Sequence, residues 1–142
     1  MWKRIQTLYL VISTGLVISM FFSRFATETG GTGDDVTIRY YERTSYLVML
    51  IMLLITNLLA LCAYKRPMLQ ARICIITGLI TLGFQIWLGI DFFRYKELLT
   101  FSITMLFPLL ASFLNFVAGR CALIDGFTIQ AVHQKRYRTQ KK

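Results

Sequence analysis

Apolar residues along this chain come in long blocks rather than alternating with polar ones. Four blocks stand out, at about 5–25, 46–64, 72–93 and 98–118. Each is close to 20 residues, and at about 1.5 Å per residue a helix of that length matches the roughly 30 Å hydrocarbon core of a bilayer. The pattern predicts an all-α membrane protein, a bundle of four transmembrane helices in a single domain spanning residues 1–142. The first block follows Lys3 and Arg4 like a signal peptide. It is too long for a signal h-region, and Arg24 spoils the only nearby small-residue cleavage site at Ala26, so it is read as a retained span.

Between the first two blocks lies the one substantial polar segment, an outer loop at 26–45. Its Gly30, Gly31, Thr32, Gly33, Asp34, Asp35 run is a turn signal. Val36, Ile38 and Tyr40 then alternate with Thr37, Arg39 and Tyr41, which accommodates a short β-hairpin leaning on the helix ends. Lys65, Arg66 and Pro67 close the second block, and the short link to the third makes those helices antiparallel neighbours. A tight turn containing Asp91, Arg94, Lys96 and Glu97 precedes the fourth. The remainder, 119–142, is a tail with Leu123, Ile124, Phe127 and Ala131 at helical spacing and a basic end expected to fray.

Charge orients the bundle. The 142-residue chain carries 16 Lys and Arg against 7 Asp and Glu, for a net charge of +9. With both termini in the cytoplasm, Lys3, Arg4, Lys65, Arg66, Arg72, Arg120, Lys135, Arg136, Arg138, Lys141 and Lys142 all face inward, accompanied only by Asp125. Arg24, Arg39, Arg43, Arg94 and Lys96 face outward among six acids. Cytoplasmic flanks collect Lys and Arg, so this arrangement orients the bundle with both termini inside and accounts for the charge without a nucleic-acid partner. Cys62, Cys74 and Cys121 then fall at cytoplasmic ends, where thiols stay reduced.

Composition adds the exclusions. At 56% hydrophobic the chain exceeds the roughly 45–50% of soluble proteins. Three cysteines without a CxxC and a lone His133 do not assemble a zinc site. No cofactor, no metal and no catalytic constellation is expected, so the chain reads as no enzyme. A membrane thiol oxidoreductase would need paired outer cysteines, and lipid or quinone redox chemistry ranks last.

The remaining candidates are packing residues. Thr56, Asn57, Gln85 and Asn115 are polar positions inside spans, suited to interhelical hydrogen bonds. Gly15 with Ser19, Thr56 with Ala60, and Gly78, Gly83 and Gly89 thin helix faces so that backbones approach, inside the bundle or against a partner. Pro108, inside the fourth block, should kink that helix and free the Thr104 carbonyl. Asp91 and Arg94 are spaced to pair. Arg120 and Asp125 flank the inner end of the fourth span as a candidate cytoplasmic pair. Phe21, Phe22, Phe25, Tyr40, Tyr41 and Tyr46 fit an outer aromatic belt, and Trp2, Tyr9 and Tyr64 an inner one.

The opening Met-Trp-Lys-Arg-Ile-Gln-Thr-Leu-Tyr-Leu, Met1 to Leu10, together with Ala118, Arg120 and Asp125 after the last span, resembles a Bacteroidota family of small four-span inner-membrane proteins catalogued as a domain of unknown function. Gly126 departs from that family's pattern, which continues with Glu and an Arg-rich stretch. The resemblance implies an inner-membrane location and no activity. The functional expectation is a non-enzymatic subunit, scaffold or assembly factor whose partners are the lipid bilayer and other membrane proteins or itself, with anionic lipid a candidate at the basic tail. The alternative is a small oligomeric transporter or channel.

Overall fold

A computed structural model describes residues 2–29, 35–97 and 99–140. Four helices carry the fold: α1 (Trp2–Phe22), α2 (Thr44–Cys62), α3 (Pro67–Tyr95) and α4 (Phe107–Gln140). Each belongs to a segment long and apolar enough to cross a membrane. α1 packs on α2 and α4, and α3 packs on α2 and α4, which closes a four-membered ring. Only 28% to 39% of each span is buried inside this ring. The larger part of every helix surface therefore faces whatever surrounds the bundle.

Each helix buries a stripe at alternating spacings of three and four. On α2 it is Tyr46, Leu50, Leu53, Asn57 and Ala60. On α3 it runs through Gln70, Cys74, Thr77, Thr81, Phe84, Leu88 and Asp91. That 3.5-residue period is the seam of left-handed bundle packing. Small residues set how closely α3 and α4 approach. A Cβ on Gly78 would sit 3.2 Å from the Phe116 ring, one on Gly119 3.3 Å from the Cys74 Cβ, and one on Gly126 3.0 Å from Met68.

One end of the bundle is capped by a small antiparallel sheet. β1 (Arg24–Thr29) lies between β2 (Asp35–Arg39) and β3 (Leu99–Phe101), in the order β2-β1-β3. Thr27 faces Thr37 on one side and Thr100 on the other. The expected hairpin is present, while its glycine turn at Gly30, Gly31, Gly33 and Asp34 lies outside the described residues. The third strand adds the support that an isolated two-stranded hairpin lacks, and the sheet leans on an aromatic core as well. Phe25 packs against Tyr40, Tyr46 and Phe101 at ring-centroid distances of 5.3, 5.1 and 5.4 Å.

Four expectations change here. The start of the fourth block is not helical span. Leu99–Phe101 is strand, Ile103–Leu106 is a 3-10 turn, and α4 begins only at Phe107. Pro108 consequently occupies the first turn of α4 instead of its interior, where its missing N–H costs nothing and no kink follows. Phe25, Tyr40 and Tyr46 are fully buried under the sheet, so they are core and not interfacial belt, while Phe22 and Tyr41 do remain exposed. The tail does not fray before Gln140. α4 is a single helix of 34 residues, about 51 Å long, and every residue from 127 to 140 is exposed. It projects past the bundle at the end away from the sheet.

Candidate functional site: the polar seam of the bundle

Side-chain hydrogen bonds join each pair of adjacent helices, at successive depths. Farthest from the sheet, the Gln6 amide of α1 donates to the Asp125 carboxylate of α4. Near the middle, the Ser13 hydroxyl donates to Asn57 Oδ1 on α2 at 3.3 Å and approaches the Ala111 carbonyl of α4 at 3.4 Å. Asn57 Nδ2 donates in turn to its own helix at Leu53 O, 2.9 Å away. On the opposite pair, Ser112 of α4 donates to the Gly78 carbonyl of α3 at 2.9 Å. Just under the sheet, the Tyr46 hydroxyl of α2 donates to Asp91 of α3. In an apolar surround each such bond removes a polar group that would otherwise be stranded.

Asp91 is the most elaborate of these positions. It is 8% exposed and has the Arg43 guanidinium 4.0 Å away. Arg43 is itself held over the rings of Tyr46 and Tyr95, 5.7 and 5.6 Å from their centroids. Asp91 therefore turns inward to α2, and the spacing to Arg94 is not used for that purpose: Arg94 is exposed. Arg43, Tyr46 and Asp91 tie the bundle end to the segment that enters it from the sheet. Nearby Tyr40 is enclosed, and burial pushes its phenol up to about 12. Thr104 spends its own proton on the Arg24 carbonyl at 3.0 Å.

Of the positions singled out from sequence, Asn57 and Gly78 lie on the seam. Asn115 also does, fully buried one helical turn from Ala111, yet neither its Oδ1 nor its Nδ2 has a partner. Gln85 lies off the central seam with a buried, unpaired Oε1. Thr56 turns back onto its own helix at Met52 and Leu53. Ser19 does the same at Leu16. Gly15, Gly83 and Gly89 have open space where a Cβ would stand, so close helix approach does not involve them. Asp125 bonds to Gln6, whereas Arg120 is exposed; the inferred cytoplasmic pair is replaced, among the described residues, by a link between α1 and α4. Cys62, Cys74 and Cys121 are free thiols.

Sequence reasoning missed Gln6, Ser13 and Ser112. Gln6 and Ser13 share one face with the buried Leu10, Val17 and Met20, at spacings of 4, 3, 4 and 3. That register was the available signal. Among the described residues no three His, Cys, Asp or Glu side chains gather as a metal set.

The seam is therefore a device for holding four membrane-crossing helices in register, and the chain is an integral membrane protein. No curated protein matches it. Residues 2–133 match the family DUF4293, described as a domain of unknown function, and the chain belongs to that family.

Proposed function

We propose that this protein is a non-enzymatic scaffold or subunit of an inner-membrane complex, with both termini in the cytoplasm. The observation that carries this reading is the free end of α4. Residues 127–140 extend about 20 Å beyond the packed bundle as continuous helix. Phe127 and Tyr137 are 59% and 71% exposed on it, beside Lys135, Arg136 and Arg138. Large apolar side chains on a projecting helix mark an interaction surface. Its positive charge favours an acidic protein face, and it also supports contact with anionic lipid. The same charge supports the cytoplasmic assignment, since basic flanks are retained on that side.

A photoreactive residue at Phe127 or Tyr137, activated in cells of the native host, should yield one discrete adduct with another membrane-associated protein. Truncation after Gly126 should abolish co-purification of that protein and leave the bundle intact. A homo-oligomer that passes ions or drugs in liposomes, with no heterologous adduct, would establish the channel or transporter reading instead. For topology, Val36→Cys should react with an impermeant thiol reagent from outside and Gln140→Cys only after permeabilisation; the reverse pattern overturns the orientation.

A further inference from the structure

The register that packs α4 into the bundle does not stop where the bundle stops. Inside, one stripe runs through Asn115, Ala118, Ala122 and Asp125, at alternating steps of three and four. The same steps continue through Ile129, Val132, Arg136 and Thr139, all of them exposed. Along this continuation, Val132, Lys135, Arg136, Thr139 and Gln140 wall an open crevice of about 390 Å³. Its first four residues are spaced i, i+3, i+4 and i+7, one diamond on the helix surface. A diamond of four residues is the hole that takes one side chain of a facing helix in knobs-into-holes packing. Continuous helix holds the walls in place, and among the described residues nothing fills the hole.

We propose that this face of the α4 extension receives an acidic amphipathic helix of another protein, whose apolar stripe packs on Ile129 and Val132 and whose carboxylates meet Lys135 and Arg136. The inference rests on the scaffold reading above and supplies the chemistry of the partner. Charge complementarity selects it, because no Asp or Glu follows Asp125 in the chain and the carboxylates must come from elsewhere. A second copy is a poor match. Two copies in one membrane share an orientation, so their extensions run parallel and bring Arg136 against Arg136, a like-charge contact that rejects the pairing. Lipid is too far away. Lys135 is nine residues, roughly 14 Å, beyond Gly126, where α4 last packs on Met68 of α3. The surface potential of anionic lipid fades within a Debye length, about 8 Å. A nucleic acid would answer the charge and leave Ile129 and Val132 in water.

The test uses full-length protein in phosphatidylcholine nanodiscs and two synthetic four-heptad peptides as probes, with the same Ile and Leu stripe and either Glu or Lys at the flanking positions. Like charges keep each peptide from pairing with itself. By fluorescence anisotropy the Glu peptide should bind about tenfold or more tighter than the Lys peptide, the worth of two exposed ion pairs made and not reversed. Val132→Asn should weaken the Glu peptide about tenfold, as loss of one buried valine does, and Arg136→Gln about threefold. Gln130→Ala, on the opposite face, should change nothing, and none of the three should move the bundle's thermal midpoint. Equal affinity for the two peptides, or unchanged binding by Val132→Asn, would overturn the proposal. So would full-yield disulfide crosslinking of Val132→Cys between two copies, or displacement of the Glu peptide by phosphatidylglycerol in the nanodisc, which would put the face on a second chain or on lipid. A discrete cellular adduct at Tyr137 together with equal peptide affinities refutes the acidic helix and keeps the scaffold; no adduct in cells refutes both.

Discussion

Removing one oxygen from Tyr46 tests whether the bundle end is locked by a charged hydrogen bond or simply by packing. Tyr46→Phe keeps the ring, and with it the contacts to Phe25, Phe84 and Trp87. What disappears is the donor to the Asp91 carboxylate. A hydrogen bond to a charged group is worth about 1.5–3 kcal/mol, whereas side-chain hydrogen bonds between membrane helices average about 0.6 kcal/mol. The higher figure should apply, because Asp91 is only 8% exposed and would be left facing Arg43 at 4.0 Å. Arg43 cannot make good the loss. Its side chain is 43% exposed, and half-solvated ion pairs contribute about 0–1 kcal/mol. Tyr46→Phe should therefore cost about 2 kcal/mol in equilibrium unfolding in mixed micelles, and Arg43→Gln less than about 1 kcal/mol. Asp91→Asn combined with Tyr46→Phe should cost much less than the two single changes added together, because the second change removes an interaction the first has already weakened. A Tyr46→Phe penalty below about 0.6 kcal/mol, or strict additivity within about 0.5 kcal/mol, would refute the lock.

Other changes probe the seam and the cap. Asn115→Leu should raise the thermal midpoint, since it replaces an amide with two unpaired buried groups by an apolar side chain of similar branching, a gain of about 1–3 kcal/mol; a lower midpoint would mean that the amide is satisfied in the membrane. Gly78→Val should weaken the α3–α4 contact, because its first carbon already meets the Phe116 ring at 3.2 Å, while Gly83→Ala, into open space, should be neutral or slightly stabilising in the same melts. Alkali should loosen the cap through Tyr40. Its folded pKa of about 12 lies above the ordinary 10.0, so between those values the unfolded chain has lost a proton that the folded chain retains, and stability falls as pH rises. The difference amounts to roughly 2–3 kcal/mol by pH 12, and Tyr40→Phe should remove that part of the pH dependence.

In a soluble bundle the buried face announces itself by hydrophobic periodicity. Here every face is apolar, so block length reveals four spans while saying little about which side of each is inside. Register of the polar and small residues carries that information. Asn57 and Gly78 were legible because they are conspicuous in their spans, but conspicuousness also selected Gly15, Thr56 and Gly83. These lie off the three-four stripe and do not mediate helix contact. Asking which polar residues share a 3.5-residue repeat with one another drops those three and brings in Gln6, Ser13 and Ser112, whose bonds join α1 to α2 and α4, and α3 to α4. The start of the fourth span failed for a different reason. Leu99, Phe101, Ile103, Met105 and Leu106 satisfy any hydropathy window, yet the backbone of Leu99–Phe101 pairs with Ala26, Thr27 and Glu28, about seventy residues away in the chain. Such a long-range partner leaves no local trace. Pro108 was the one local clue. A proline is tolerated in the first turn of a helix and costs about 3 kcal/mol in its interior, so the economical place for α4 to begin was beside it. Beginning there lets the eight residues before α4 serve as strand and turn at the sheet end of the bundle. The length of α4 lies instead at its other end, where it leaves the bundle.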